Sequence, residues 1–206
     1  MNKFKCISLL LALTLSTLPV SANDSGVYQI DPVHSHVGFE VPHLVISSVE
    51  GKFKEFSGTI EINEKTFSKS KVEATIKVSS IDTGTEKRDN HLKSKDFFEV
   101  ETYPDMKFVS QKISGNKKKF TMTGQLTIKG KTRTVTFSSK FLGTVKDGYG
   151  NLKAAFVAET EVNRKDFGLT WNSMVEAGPV VGDDVKITLK VQAAKAAPQK
   201  QANLEK

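Results

Sequence analysis

Short runs in which apolar and polar residues alternate recur through most of this chain, and they constrain the fold more than any other feature. A period of two is the mark of a strand with one buried and one solvated face. Eight such runs can be counted. Val37, Phe39 and Val41 alternate with His36, Gly38 and Glu40 in the first, within Tyr28–Pro42. Phe56, Gly58, Ile60 and Ile62 share a face in the second, and Val72, Ala74, Ile76 and Val78 in the third. Phe53 falls out of phase with Phe56, which predicts a bulge near Glu55. Met106 to Ile113 forms the fourth run, and Phe120, Met122, Gly124, Leu126 and Ile128 mark the fifth. Val135, Phe137 and Phe141 mark the sixth, Ala154, Phe156, Ala158 and Val162 the seventh, and Val185, Ile187, Leu189 and Val191 the eighth. Lys129-Gly130-Lys131 and Asp147-Gly148-Tyr149-Gly150-Asn151 read as hairpin turns.

Eight successive antiparallel strands with short connections favour an up-and-down barrel. Such a barrel either fills its interior or holds one small ligand. The inward rows mix phenylalanine with Gly58, Ala74, Gly124, Ala154 and Ala158. Those small residues imply room inside. In the competing account, a two-sheet sandwich, they let the sheets approach closely.

The alternation stops between Val78 and Val100. There the chain carries turn residues Asp82, Thr83 and Gly84, then mixed charges, then Phe97-Phe98. This reads as a short helical insert, with Thr85 and Ser94 as candidate N-caps. Phe97 and Phe98 would then be adjacent helical positions, about 100° apart. Both would lie over the barrel end as a lid.

The ends lie outside the fold. Lys3 and Lys5 precede an apolar stretch from Ile7 to Leu18, and Val20-Ser21-Ala22 offers small residues at a cleavage site. This predicts a signal peptide over residues 1–22, too short in its apolar part to span a bilayer comfortably. The single cysteine, Cys6, stands ahead of most of that stretch, so lipidation is excluded. The remaining 184 residues have no cysteine, so the core alone must hold the domain. Export of this kind predicts a periplasmic protein. Residues 193–206, with Leu204 as their one bulky apolar residue, read as a disordered tail, leaving a domain over 23–192.

Without Lys3 and Lys5 the formal net charge falls from +7 to +5. The lysines are spread along strands, as on a solvated outer face. No nucleic-acid-binding motif is present. Among residues that carry chemistry, His34 and His36 share a strand face at a spacing that could hold a metal, with His91 as a third ligand. That defines an alternative, a metal-dependent enzyme using His34, His36 and His91. Ser35 points away from both flanking histidines, because neighbouring strand residues face opposite sides. There is neither a nucleophile elbow nor a phosphate loop, so no catalytic residue and no cofactor is expected. Arg88 could meet an anionic head group at a barrel mouth or form a salt bridge pinning the insert to the sheet. Trp171 reads as a rim residue or as core.

These residues carry a resemblance. Tyr28-Gln29-Ile30-Asp31, His34-Ser35 and Val37-Gly38-Phe39 are followed by Gly51-Lys52-Phe53 and Phe56-Ser57-Gly58. Next come Ser80-Ile81-Asp82-Thr83, Arg88-Asp89, His91-Leu92 and Asp96-Phe97-Phe98, then Gly124 to Gly130. Arg164, Asp166 to Leu169 and Gly182-Asp183-Asp184-Val185 complete the series. In order and spacing the chain resembles the YceI-like family of exported polyisoprenoid-binding proteins, from about Tyr28 to Val191, with the C-terminal tail as an extra.

The resemblance implies an all-β, eight-stranded antiparallel lipocalin-like barrel around an elongated hydrophobic channel, with no catalytic residues. It implies a carrier for quinone- or polyprenyl-type lipids or similar amphiphiles. Phe39, Phe53, Phe56, Phe97, Phe98, Phe108 and Trp171 would line the channel, and Arg88 and His91 would meet the head group. A stress-induced structural barrel without ligand is the other alternative. Transient membrane contact and a homodimer stay open at this point.

Overall fold

The computed structural model describes residues 24–176 and 178–196. The signal-peptide segment and the end of the tail lie outside these residues. Eight long strands form the fold. β1 runs as Gly26–Ile30 and His36–His43, β2 as Ser47–Phe53 and Phe56–Ile62, and β3 as Lys71–Lys77 and Ile81–Asp82. β4 (Asp105–Asn116), β5 (Lys119–Ile128), β6 (Lys131–Lys146), β7 (Leu152–Asn163) and β8 (Asp184–Lys195) are unbroken.

Each strand pairs antiparallel with the next. β8 returns to both halves of β1, with Lys190 opposite His36 and Ala193 opposite Ile30. The sheet therefore closes as an eight-stranded up-and-down barrel, and the sandwich is set aside.

The breaks in β1, β2 and β3 have local causes and lie side by side. Pro32 starts a 3-10 turn at Pro32–His34, capped by Asp31, whose Oδ1 accepts from Val33 N–H at 3.1 Å. Ser35 then repairs the ladder: its Oγ donates to Gln192 O at 3.1 Å and accepts from Gln192 N–H at 2.9 Å. In β2 the irregularity expected near Glu55 falls at Lys54-Glu55. Ser80, in the break of β3, accepts from both of their N–H groups, through its carbonyl at 3.1 Å and its Oγ at 3.0 Å. Beyond the pairing of Lys77 with Asp105 the wall opens, because Ile81–Asp82 stays with β2 and does not rejoin β4. Residues 83–104 fill that gap.

The small inward residues do not all make space. A Cβ at Gly124 would lie 2.6 Å from Phe108 Cζ, and one at Gly58 would lie 2.9 Å from Ile30 Cδ1. These glycines seat a neighbour's large side chain, a strand device for close approach. Ala154 is buried in the floor, and Ala74 and Ala158 face open space.

Tyr28, Ile60, Ile62, Ala154 and Ala193 close the end of the barrel remote from the insert. Ala193 has no exposed surface, and β8 continues to Lys195. The tail boundary at residue 193 is therefore too early. Small side chains there satisfy tight packing beside Tyr28, and low bulk does not signal disorder. At this end Lys117 Nζ binds Asp24 Oδ2 at 3.1 Å and Glu64 Oε1 at 2.9 Å, and Tyr28 Oη donates to Asp24 O at 2.9 Å. Burial, with Asp24 and Glu64 adding to it, pushes the Tyr28 phenol up to about 12. The folded state thus prefers the neutral phenol. Its stabilisation is complete below the ordinary tyrosine value near pH 10 and is lost as pH rises toward 12. The urea midpoint is expected to fall across that window, and Tyr28→Phe to flatten the fall. An equally steep decline in the variant would assign it elsewhere.

Candidate functional site

The barrel interior holds two apolar chambers end to end. The outer one, about 300 Å³, is bounded by the upper parts of β1, β2 and β8, by the insert and by the chain between β7 and β8. The inner one, about 150 Å³, lies toward the floor. Val37, Met106, Ile128 and Ile187 line both and form the waist between them.

The insert folds into α1 (Glu86–Lys93) behind Thr85, whose side chain makes no capping bond. The entry is held instead through Thr83. Asp89 Oδ1 accepts from Thr83 N–H at 2.9 Å and also from its hydroxyl. Arg88 Nε donates to Thr83 Oγ1 and Nη2 to Thr83 O, each at 2.7 Å. Among the described residues Arg88 therefore forms no salt bridge to the sheet, and its Nη1 makes no hydrogen bond. Ser94 is a C-cap, not an N-cap: its N–H and Oγ both bond His91 O, at 3.1 and 2.8 Å. Phe97 and Phe98 accordingly sit in the turn after α1, not on helical positions, and still cover the outer chamber.

Across the mouth, His91 stands edge-on to Phe97 and Trp171 at ring separations of 5.1 and 4.8 Å, and Phe97 lies 5.1 Å from Trp171. His91 Nε2 is 2.8 Å from Asp96 Oδ2, so the imidazole is oriented from outside. Phe39, Phe53 and Phe98 form a second aromatic row, with separations of 5.7 and 6.2 Å.

Trp171 is positioned by Arg164, which the sequence offers as part of the family resemblance without a role of its own. Arg164 is 4% exposed. Its Nε donates to Gly182 O at 2.8 Å. Nη1 donates to Leu169 O and Trp171 O, and Nη2 to Val181 O and Asp183 Oδ1. All five N–H groups are used, tying Leu169, Trp171 and residues 181–183 to the end of β7. Burial pulls the guanidinium below its ordinary value, against the pull of Asp183. Lys165 first, then Arg164, holds the Asp183 carboxyl low.

Seven of the nine residues assigned from sequence, Phe39, Phe53, Arg88, His91, Phe97, Phe98 and Trp171, line the outer chamber, and Phe56 and Phe108 line the inner one. Sequence reasoning assigned no place at the site to Arg164, to the waist residues Met106 and Ile128, or to Phe167, which is 1% exposed beneath the mouth. The three histidines of the metal alternative are not brought together. His34 belongs to the 3-10 turn and pairs with Asp31 at 2.9 Å, so it shares no strand face with exposed His36, and His91 is at the mouth. Among the described residues no three His, Cys, Asp or Glu side chains gather in a ligating group. The chambers can hold an apolar chain by burial, and Arg88 and His91 stand on the insert side of the outer one.

Comparison with known proteins places this geometry. The family described as YceI-like domain matches residues 28–193. The UPF0312 protein plu2095 of Photorhabdus laumondii is 37% identical over 174 residues, covering 82% of this chain and 88% of that protein. Protein YceI of Escherichia coli O157:H7 is 35% identical over 187 residues, covering 89% and 95%. Among solved structures, BcnA of Burkholderia cenocepacia superposes with a TM-score of 0.70 at 28% identity, over 80% of this chain and 99% of that one. A polyisoprenoid-binding domain from Saccharophagus degradans superposes with a TM-score of 0.58 at 14% identity, over 82% and 98%, a likeness of fold alone.

Proposed function

Because the chain belongs to the YceI-like domain family and closes around a blind apolar channel, we propose that it binds isoprenoid-tailed lipids or similar amphiphiles as a carrier, not as an enzyme. The observation that carries this reading is the pair of contiguous chambers. Their walls are apolar except for Ser70 and Ser139 in the inner one and His43, Arg88, His91 and Arg164 in the outer one, and of these Arg88 and His91 belong to the insert. A tail losing about 300 Å² of apolar surface would gain about 7.5 kcal/mol. That reaches micromolar affinity when ordering costs stay small. The site of action proposed with it is the periplasm, reached by cleavage after Ala22.

Native mass spectrometry of protein purified from producing cells tests the reading. The expected result is a retained lipid, or uptake of added polyprenyl alcohol at one per chain. A barrel that is empty and takes up neither polyprenyl alcohol nor quinone would overturn it.

A carrier must load from a membrane, and the outer-chamber end has a surface suited to that. Val45 and Ile46, in the turn between β1 and the start of β2, are 65% and 88% exposed, and Met174 and Val175 are 72% and 44% exposed. The two segments are neighbours: Leu44 N–H bonds Val180 O at 3.0 Å, and Met174 pairs with Pro179. Val45 also holds φ 67°, an uncommon conformation for a β-branched residue, which keeps the turn protruding. Ile46→Asp with Met174→Asp is expected to lower co-sedimentation with phosphatidylethanolamine/phosphatidylglycerol vesicles about fivefold, at unchanged thermal midpoint. Equal co-sedimentation of variant and parent would remove the membrane role from this surface.

A further inference from the structure

The inner chamber contains a polar atom that apolar tail binding does not use. Among the described residues only Ser70 and Ser139 bring polar side chains to its wall. Ser70 Oγ is engaged, accepting from Asn63 N–H at 3.0 Å. Ser139 lies in the inward row of β6 between Phe137 and Phe141, paired across the sheet with Phe120 and Ala158. It is 3% exposed, and its Oγ has no hydrogen-bond partner among the described residues.

A buried hydroxyl without a partner is unfavourable. Alanine would fit the same backbone at no such cost, so stability does not account for serine here. An ordered water would need two to four polar partners. This wall offers one free hydroxyl and the remaining capacity of Ser70. The group best able to satisfy Ser139 is an oxygen carried in by the ligand itself.

We propose that Ser139 is a polar contact deep in the channel, and that the ligand is an amphiphile bearing a hydrogen-bonding oxygen near the far end of its chain. This rests on the lipid-binding reading above. Ser139 borders the inner chamber, beyond the waist, whereas Arg88 and His91 border the outer one. The oxygen is therefore remote from the head group held near Arg88 and His91, and the recognition is two-ended. Apolar contact supplies affinity along the chain, and the two ends select its length and its oxidation.

Paired probes test this on the mature protein after lipid removal: unsubstituted fatty acids and their ω-hydroxy counterparts, in a length series from dodecanoic to icosanoic acid. Calorimetry is expected to find one length at which the hydroxy acid binds at least as tightly as the plain acid. In Ser139→Ala the hydroxy acid should weaken about tenfold relative to the plain acid, whose affinity holds or rises. The urea midpoint of Ser139→Ala should not fall, which separates lost recognition from lost folding. An unchanged ratio of the two affinities at every length in Ser139→Ala would overturn the role of Ser139 and leave the lipid-binding reading standing. If no acid of either kind binds to the parent protein, and polyprenyl alcohol and quinone also fail, both readings fall together.

Discussion

Arg164→Lys is expected to lower the unfolding free energy by about 3 kcal/mol and to shift the emission of Trp171, the only tryptophan in the chain, to longer wavelength. The guanidinium reaches four carbonyls and one carboxylate from a single buried position. A lysine ammonium has three donors at one point and cannot reproduce that fork. Carbonyls left unpaired in a buried setting carry their full desolvation cost. The cost stays at the low end of the range for broken buried pairs because Asp183 is itself partly open and keeps Lys165 at 2.7 Å. The effect is also local. Leu169 and Trp171 are tied to the end of β7 through this side chain, so its loss is expected to free Trp171 from His91 and Phe97 before the barrel unfolds. Urea titration followed by tryptophan emission should show an early transition ahead of the loss of strand signal. A single transition at the parent midpoint, with parent emission, would show that the loop holds without the fork.

The same residue shows where sequence reasoning stops. Period-two alternation tells which side of a strand is buried, and it does so well along β5, where Phe120, Met122, Gly124, Leu126 and Ile128 are all buried. The phase slip between Phe53 and Phe56 also marks a real interruption. Alternation does not say which inward positions face a void, because that depends on what the neighbouring strand sends across. Gly124 reads as space and is a seat for the Phe108 ring. Ala158 reads the same way and does border the inner chamber. Nor does it separate Arg164 from Lys165: both are charges beside a turn, and only the return of the chain at Gly182-Asp183 buries one of them. The insert was legible as a break in pattern and as a cover for the channel. Its geometry was not, because Ser94 is equally suited in sequence to start a helix or to close one. Ser139 left no trace in the pattern at all, since a lone serine in an inward row looks like a mild irregularity until its surroundings are known.

Ala158→Phe is expected to close the inner chamber while leaving the outer one open. Ala158 is 7% exposed, stands opposite Leu189 on one side and Ser139 on the other, and faces a space of about 150 Å³. A benzyl group projecting there occupies most of that volume. A filled void regains contacts that its lining lacks, and any misfit costs about 1–3 kcal/mol. The urea midpoint should therefore move little. Binding should divide by tail length. A short chain such as geraniol, held above the waist of Val37, Met106, Ile128 and Ile187, should keep its affinity. A longer one such as geranylgeraniol loses the burial of whatever part passed the waist. If that part carries about 100 Å² of apolar surface, the loss is about 2.5 kcal/mol, close to two orders of magnitude in affinity. The division matters because a merely loosened barrel would weaken both ligands together. Equal retention of the long chain, at an undiminished urea midpoint, would mean that the tail never enters the inner chamber and that the outer one alone is the binding site.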